Sequence, residues 1–127
     1  MDAPFAIRFD ARTSVLHLTL SGFWTPDTLR DFARALLAEV ARIQKTRPSF
    51  DVLSDSRAFP VQSPEVGQGF TRLMSGSSER NTGRRAIVVA SALNKMQAER
   101  TLASPNLRVF LDPDEAAAWL ATPRDAA

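Results

Sequence analysis

Along this chain, stretches in which every second residue is apolar alternate with stretches in which every third or fourth residue is apolar. Two stretches near the N-terminus, 5–10 and 14–21, have the period of two. That period is typical of a strand with one buried face, because successive side chains of a strand point to opposite sides. A short segment, 11–13, separates the stretches, so we predict an antiparallel hairpin.

The helices are predicted from a start signal that occurs three times: a residue that can cap a helix, then proline, then an acidic residue. The copies begin at Thr25, Ser63 and Asp112, and Ser91 is a further capping residue. A capping oxygen accepts a hydrogen bond from the first turn, proline fits the first helical position, and the helix dipole favours negative charge there. The predicted helices are 26–45, 64–74, 92–103 and 113–122.

The most apolar continuous run is 86–90, Ala-Ile-Val-Val-Ala. Its lack of alternation indicates an interior strand covered on both faces, and the run is too short and too rich in β-branched residues for a helix. Other strands are predicted at 50–54 and 107–111. The order β-β-α-β-α-β-α-β-α predicts a single α/β domain over 1–127, a two-layer mixed sheet of five strands with helices mainly on one face.

The sheet face away from the helices is predicted to be apolar. With registers taken from the strand patterns, it carries Val15, His17, Ile87, Val89 and Phe110. An apolar patch of this size is rarely bare on a monomer. Either a homodimer covers the face or a helix crosses to it, and we favour the homodimer because the last predicted helix has few apolar residues.

Composition narrows the classes of protein to which the chain can belong. Its 127 residues, 44 % of them hydrophobic, suffice for a buried core, and the absence of cysteine excludes disulfides and thiolate metal sites. No apolar stretch approaches the roughly 20 residues that span a bilayer, and the first residues lack a signal-peptide pattern. Acidic and basic residues are interspersed at a net charge of +2. We therefore expect a cytoplasmic protein without membrane insertion or nucleic-acid binding.

The candidate chemical groups do not form a catalytic set. His17 is the one histidine; it lies in the middle of a predicted strand rather than at a strand end or in a loop, and it lacks companion metal ligands. We therefore predict no enzyme, no catalytic residue, no metal and no cofactor. Arg80, Arg84 and Arg85 form a basic cluster that could contact an anion or a partner, or could simply be solvated.

Four segments occur in a characteristic order: Ser21-Gly22-Phe23-Trp24, Val52-Leu53-Ser54-Asp55-Ser56-Arg57, Arg85-Ala86-Ile87-Val88-Val89, and Val109-Phe110-Leu111-Asp112 with the helix after it. In this order and spacing they resemble the bacterial SpoIIAA-like branch of the STAS superfamily, over roughly 5–121. The resemblance implies a SpoIIAA-like fold. It also implies a non-enzymatic regulatory module that binds a protein, such as an anti-sigma factor or another regulator.

The same resemblance draws attention to Asp55, Ser56 and Arg57. In STAS domains that antagonise anti-sigma factors, the loop after the third strand carries Asp-Ser-Ser/Thr-Gly, and a partner kinase phosphorylates its serine. Asp55 and Ser56 match the first two positions, whereas Arg57 and Ala58 replace the last two. The resemblance thus implies regulation at Ser56. From the residues themselves the alternative is a self-satisfied turn, in which Asp55 pairs with Arg57.

A second function is a small-molecule or lipid carrier. The second predicted helix contains two glycines that weaken it, and it is followed by a polar stretch, 75–83, that we expect to be mobile. Its apolar residues Phe70, Leu73 and Met74 could therefore line a pocket that opens to a ligand.

Overall fold

The computed structural model describes residues 3–101 and 105–123, with the backbone alone for 77–80 and 101. Within these ranges, five strands and four helices alternate in the predicted order. The strands are β1 (Phe5–Asp10), β2 (Val15–Ser21), β3 (Asp51–Ala58), β4 (Arg85–Val88) and β5 (Leu107–Phe110). The helices are α1 (Pro26–Gln44), α2 (Pro64–Arg80), α3 (Ala92–Thr101) and α4 (Pro113–Ala121).

The five strands form one mixed sheet in the order β1-β2-β3-β4-β5. β1 is antiparallel to β2, as the predicted hairpin requires, and the other neighbouring strands are parallel. The apolar run near residue 88 therefore lies inside the sheet, between two parallel neighbours. The middle strand is β3 rather than β4, but the prediction of an interior strand is confirmed.

The predicted start signals begin three of the helices. Thr25 Oγ1 accepts a hydrogen bond from the backbone N–H of Thr28 at 3.2 Å, and Ser63 Oγ accepts one from Val66 at 3.3 Å. Asp112 Oδ1 accepts one from the N–H two residues later at 2.8 Å. Each cap satisfies an N–H that the first helical turn leaves without an intrahelical partner.

Two element ends differ from the prediction. α2 continues to Arg80 through most of the stretch expected to be a mobile loop, because its packing against α1 outweighs the low helix propensity of glycine and serine. β3 continues to Ala58, into the predicted loop. Its last residues stay extended because they pair with β2, where Thr19 is opposite Asp55 and Ser21 is opposite Ala58.

The main core lies between one face of the sheet and helices α1 and α2. Trp24 is at its centre: its ring centroid is 4.9–6.1 Å from those of Phe5, Phe32, Phe59 and Phe70. Aromatic pairs at this spacing add stabilisation beyond the area that they bury. α3 packs on the same face, beside β5. Among the described helices, three thus cover one face, as predicted.

α4 covers the opposite face. Of the two predicted explanations for an apolar face, the structure therefore has the helix that crosses to cover it. Ala116 and Leu120 of α4 pack with Val88 and neighbouring side chains of the sheet. Arg84 also holds the helix, because it donates to the carbonyl oxygen of Trp119 at 2.8 Å and its guanidinium lies 5.3 Å from the Trp119 ring centre. The uncovered apolar face that favoured a homodimer is therefore in part occupied, and the homodimer stays a prediction.

The five residues predicted to share one face are divided between the two faces, so that grouping is wrong. Ile87 and Val89 lie on the face that α3 covers, whereas Val15, His17 and Phe110 lie on the α4 face. Successive side chains of a strand alternate. Because every position from 86 to 90 is apolar, the sequence there carries no sign of which residues point to which side.

Candidate functional site

A cavity of about 160 Å³, here called the sheet cavity, lies between the sheet and helices α2 and α3. Its floor consists of alternate residues along two neighbouring segments, Ser54 and Ser56 of β3 and Ile87 of β4 with Val89 just after that strand. The loop after β3 closes one side. Ligands of open α/β sheets commonly bind outside the carboxyl ends of the strands, and the cavity extends to that edge.

The small side chains of two serines leave room for the cavity. Ser54 and Ser56 stand on the same side of β3, at positions where larger apolar residues would fill the gap beneath the helices. Ser54 is 3 % exposed, and the two hydroxyl oxygens are 3.2 Å apart, within hydrogen-bond distance. The cavity therefore has a small polar strip on an apolar floor.

Arg85 also lines the cavity and is only 7 % exposed. One of its terminal nitrogens donates to the carbonyl oxygen of Met74 at 3.1 Å. None of the ion pairs among the described residues includes Arg85. Burial lowers the pKa of Arg85, yet a guanidinium keeps its proton in proteins, so the cavity contains a buried positive charge.

The pocket predicted from Phe70, Leu73 and Met74 is found in part. Phe70 and Met74 line the sheet cavity, whereas Leu73 packs against the main core. The cavity brings Phe70 and Met74 together with Ser56 and Arg85. The sequence had suggested three separate sites for them: a pocket, a regulatory loop and a basic cluster. Among the lining residues that sequence reasoning missed are Ser54, Asn94, Gln97 and Ala98. Of these, Ser54 could have been found, because it is two positions before Ser56 in a strand.

Asp55 and Arg57 satisfy each other, as the turn alternative proposed. The guanidinium of Arg57 donates to both carboxylate oxygens of Asp55, at 2.9 and 2.8 Å, and its backbone N–H donates at 3.2 Å. These bonds hold the pKa of Asp55 below its ordinary value. Asp55 pairs in register with Val88 and so faces α4, whereas Ser56 faces the cavity. The two residues that match the family loop thus point to opposite sides of the sheet.

The predicted arginine cluster is separated in the same way. Arg84 donates to the Trp119 and Thr122 carbonyl oxygens, at 2.8 and 3.1 Å, at the end of α4. Arg85 reaches the cavity on the other face. The side chain of Arg80 lies outside the described part of the chain. The structure therefore does not bring Arg84 and Arg85 together at one anion site.

His17 borders a wider depression of about 500 Å³ on the α4 face, next to Arg8 and Asp10. Burial lowers its pKa, and the positive charge of Arg8 lowers it further. In the part of the chain that the structure describes, no three His, Asp or Glu residues are grouped as a metal site would require. Nor is any described helix both long enough and apolar enough to cross a bilayer.

Two solved structures are similar to this chain over nearly its whole length. An uncharacterized protein of the DUF3478 family from Shewanella loihica PV-4, with a SpoIIAA-like fold, has a TM-score of 0.74 at 19 % identity, covering 95 % of this chain and 99 % of that one. An anti-sigma factor antagonist from Mycobacterium paratuberculosis has a TM-score of 0.62 at 14 % identity, covering 96 % and 100 %. No protein-family model and no curated protein matches the sequence. At such identities the likeness shows the fold, and the predicted SpoIIAA-like fold is confirmed.

Proposed function

We propose that the chain is a non-enzymatic regulatory module that binds a protein partner. The observation that carries the proposal is a pair of apolar side chains, Phe23 and Val61, which are 79 % and 73 % exposed on adjoining loops. Exposed apolar side chains on adjoining loops are typical of contact surfaces. The fold shared with an anti-sigma factor antagonist supports a partner of the anti-sigma type or another regulator.

Gln62 joins the two loops. Its Oε1 accepts a hydrogen bond from the backbone N–H of Trp24 at 2.7 Å, and its Nε2 donates to the carbonyl oxygen of Gly22 at 3.0 Å. Phe23 lies between these two residues, and Val61 directly precedes Gln62. The two exposed side chains are thus carried on a preorganised support, which lowers the entropic cost of binding.

The first experiment compares what the protein captures from extracts of its native cells. A Phe23→Ser/Val61→Ser double variant should lose a partner that the wild type retains. Leu37→Ser is the matched control, because Leu37 is a 48 % exposed apolar residue on α1. Identical captured proteins for the wild type, the double variant and the control would contradict the proposal.

Regulation by phosphorylation at Ser56 is a finer part of the proposal. A phosphate would add about −1.5 to −2 charge. Ser56 is half-buried at the cavity floor, so a phosphate would have to push apart the end of β3 and the loop that carries Val61. Ser56→Asp should therefore weaken partner binding, whereas Ser56→Ala should preserve it. Equal binding by both variants would eliminate this switch but leave the protein-binding proposal standing.

Small-molecule binding is a second candidate function, and the sheet cavity favours it. Its volume of about 160 Å³ is close to that of cavities of about 150 Å³ that bind benzene. Native mass spectrometry of protein purified from its own cells should show a retained mass. If the protein carries no added mass and takes up no small apolar probe when one is supplied, this candidate fails.

A further inference from the structure

We propose that the sheet cavity binds a small organic acid, with its carboxylate at Arg85 and its apolar part between α2 and α3. This inference rests on the second candidate function and adds the chemical class of the ligand. Val61 of the exposed apolar pair also lines the cavity, but Arg85 is buried and Phe23 does not line it. The cavity could therefore be occupied without a protein partner.

The charge of Arg85 is the first reason. Burying a cation costs several kcal/mol unless an anion or sufficient hydrogen bonds offset the loss of hydration. The described residues provide the guanidinium of Arg85 with a single hydrogen bond, to the carbonyl oxygen of Met74, although a guanidinium has five N–H donors. A carboxylate is the group that fits the remaining donors, because two parallel N–H bonds match its two oxygens.

The accessibility of those donors is the second reason. Among the described residues, no fully enclosed side-chain nitrogen or oxygen lacks a hydrogen-bond partner. The nitrogens of Arg85 that lack one therefore retain some accessible surface. Arg85 is 7 % exposed and lines the sheet cavity, so part of its side chain borders that space. A molecule that enters the cavity can thus reach a guanidinium that the protein leaves mostly unpaired.

The polar groups nearby agree with an anionic ligand. Ser54 and Ser56 provide hydroxyls on the cavity floor, and one of the pair remains able to donate after they bond to each other. Asn94, in the first turn of α3, provides an amide, and the amino end of a helix favours negative charge. No Asp or Glu of the described residues lines the cavity. This lining disfavours metal ions and cationic ligands.

The size and the apolar walls define the rest of the ligand. Phe70, Ile87, Val89 and Ala98 line the cavity with hydrocarbon. A volume of about 160 Å³ is well below that of pockets for drug-sized ligands, about 300–1,000 Å³. The apolar part is therefore one ring or a short chain of roughly six to eight carbons.

The test uses the full chain and two probe acids, benzoate and octanoate. Benzyl alcohol and octanol serve as neutral probes of the same shapes. Binding is followed by the amide NMR signals of the cavity residues during titration. The wild type should bind the better acid at least about tenfold more tightly than its neutral counterpart, which is the effect of charge-assisted hydrogen bonds.

Arg85→Met should remove that preference but keep binding of the neutral probes. Arg84→Gln is the matched control, because the neighbouring arginine lies on the other face, and it should keep the preference. If Arg85→Met does not fold, Arg85→Lys replaces it, and the preference should fall at least threefold because lysine lacks the planar fork.

The outcomes separate the two levels of the proposal. Neutral probes that bind as tightly as the acids, or a preference that the Arg85 variants retain, would overturn the organic-acid inference and leave small-molecule binding intact. If neither acids nor neutral probes move the signals of the cavity residues, both the inference and the second candidate function fail.

Discussion

The amino ends of the parallel strands and the sheet cavity use buried polar groups in opposite ways. At the amino ends, Asn81 Oδ1 accepts hydrogen bonds from the backbone N–H groups of Phe50 and Gly83, at 3.0 and 3.2 Å. Asp51 Oδ1 accepts one from the N–H of Arg84 at 2.9 Å. We call this set of five residues the amino-end bracket. In the sheet cavity, the polar lining groups are instead Ser54 and Ser56 of β3 and Arg85, which begins β4.

The two regions differ in how many of their hydrogen-bonding groups already have partners. In the amino-end bracket, side-chain oxygens satisfy backbone donors of the chain itself, so the bracket joins the start of β3 to the start of β4. Along the cavity, the polar groups have donors to spare. We conclude that the amino-end bracket maintains the fold, whereas the polar groups of the sheet cavity keep unused hydrogen-bonding capacity, and the following substitutions test that division.

Gly83→Ala should have the largest effect. A Cβ at position 83 would overlap the carbonyl group of Phe50, which is backbone and cannot move aside. We expect the free energy of unfolding to fall by about 3 kcal/mol or more, measured by urea denaturation. Gly67→Ala is the control, because a Cβ there meets no atom within 4 Å, and it should stabilise α2 by up to about 1 kcal/mol. Similar effects of the two substitutions would refute the close approach at Gly83.

Asn81→Ala should have the second largest effect on the free energy of unfolding. It leaves the N–H groups of Phe50 and Gly83 without their acceptor in a buried site, so we expect a loss of about 2 kcal/mol. Asn106→Ala is the control, because the amide of Asn106 makes an exposed bond of 3.4 Å to Thr82. Its effect should stay within about 0.5 kcal/mol. Equal losses in the two variants would show that the amino-end bracket is not special.

His17 belongs to neither region, and its contribution to the free energy of unfolding should depend on pH. Burial, assisted by Arg8, lowers the pKa of His17 in the folded state. The unfolded chain therefore binds a proton more readily, and stability should fall as the pH decreases below about 6.5, until it passes the folded pKa. Denaturation at several pH values should show this slope in the wild type and a weaker one in His17→Gln. An unchanged slope would assign the dependence to other groups.

Ser56→Ala should change stability least. The hydroxyl of Ser54 loses a partner at 3.2 Å, but it lines a cavity that can admit water. We expect the free energy of unfolding to change by less than about 1 kcal/mol, measured in the same urea series. A loss as large as that of Asn81→Ala would mean that the cavity serines maintain the fold as well, and the contrast between the two regions would disappear.

The sequence predicted the fold well where local physics decides it. Alternation over 5–10 and 14–21 predicted the hairpin, and the capping residues Thr25, Ser63 and Asp112 predicted where helices begin. These signals depend on residues within one or two turns of each other. The resemblance of ordered segments to SpoIIAA-like proteins added the architecture as a whole.

The candidate site was less predictable because it depends on distances between remote segments. Ser54, Met74 and Ala98 belong to three elements that meet only in the folded chain. The polar sequence from Asp55 to Arg57 is typical of a loop, but pairing with β2 keeps it extended. Which of Ile87 and Val88 would face the cavity was likewise undetermined, because both are apolar.

Gln62 connects the rim of the sheet cavity to the loop that carries Phe23. Its amide bonds three backbone groups: the N–H of Trp24 and the carbonyl oxygens of Gly22 and Pro60. Pro60 borders the cavity, and Trp24 anchors the aromatic centre of the core. A single side chain therefore holds the cavity rim and the start of α1 in a fixed relation. We expect a displacement of the cavity rim to shift the entrance of α1 and the loop that displays Phe23 as well, because these hydrogen bonds join the three segments.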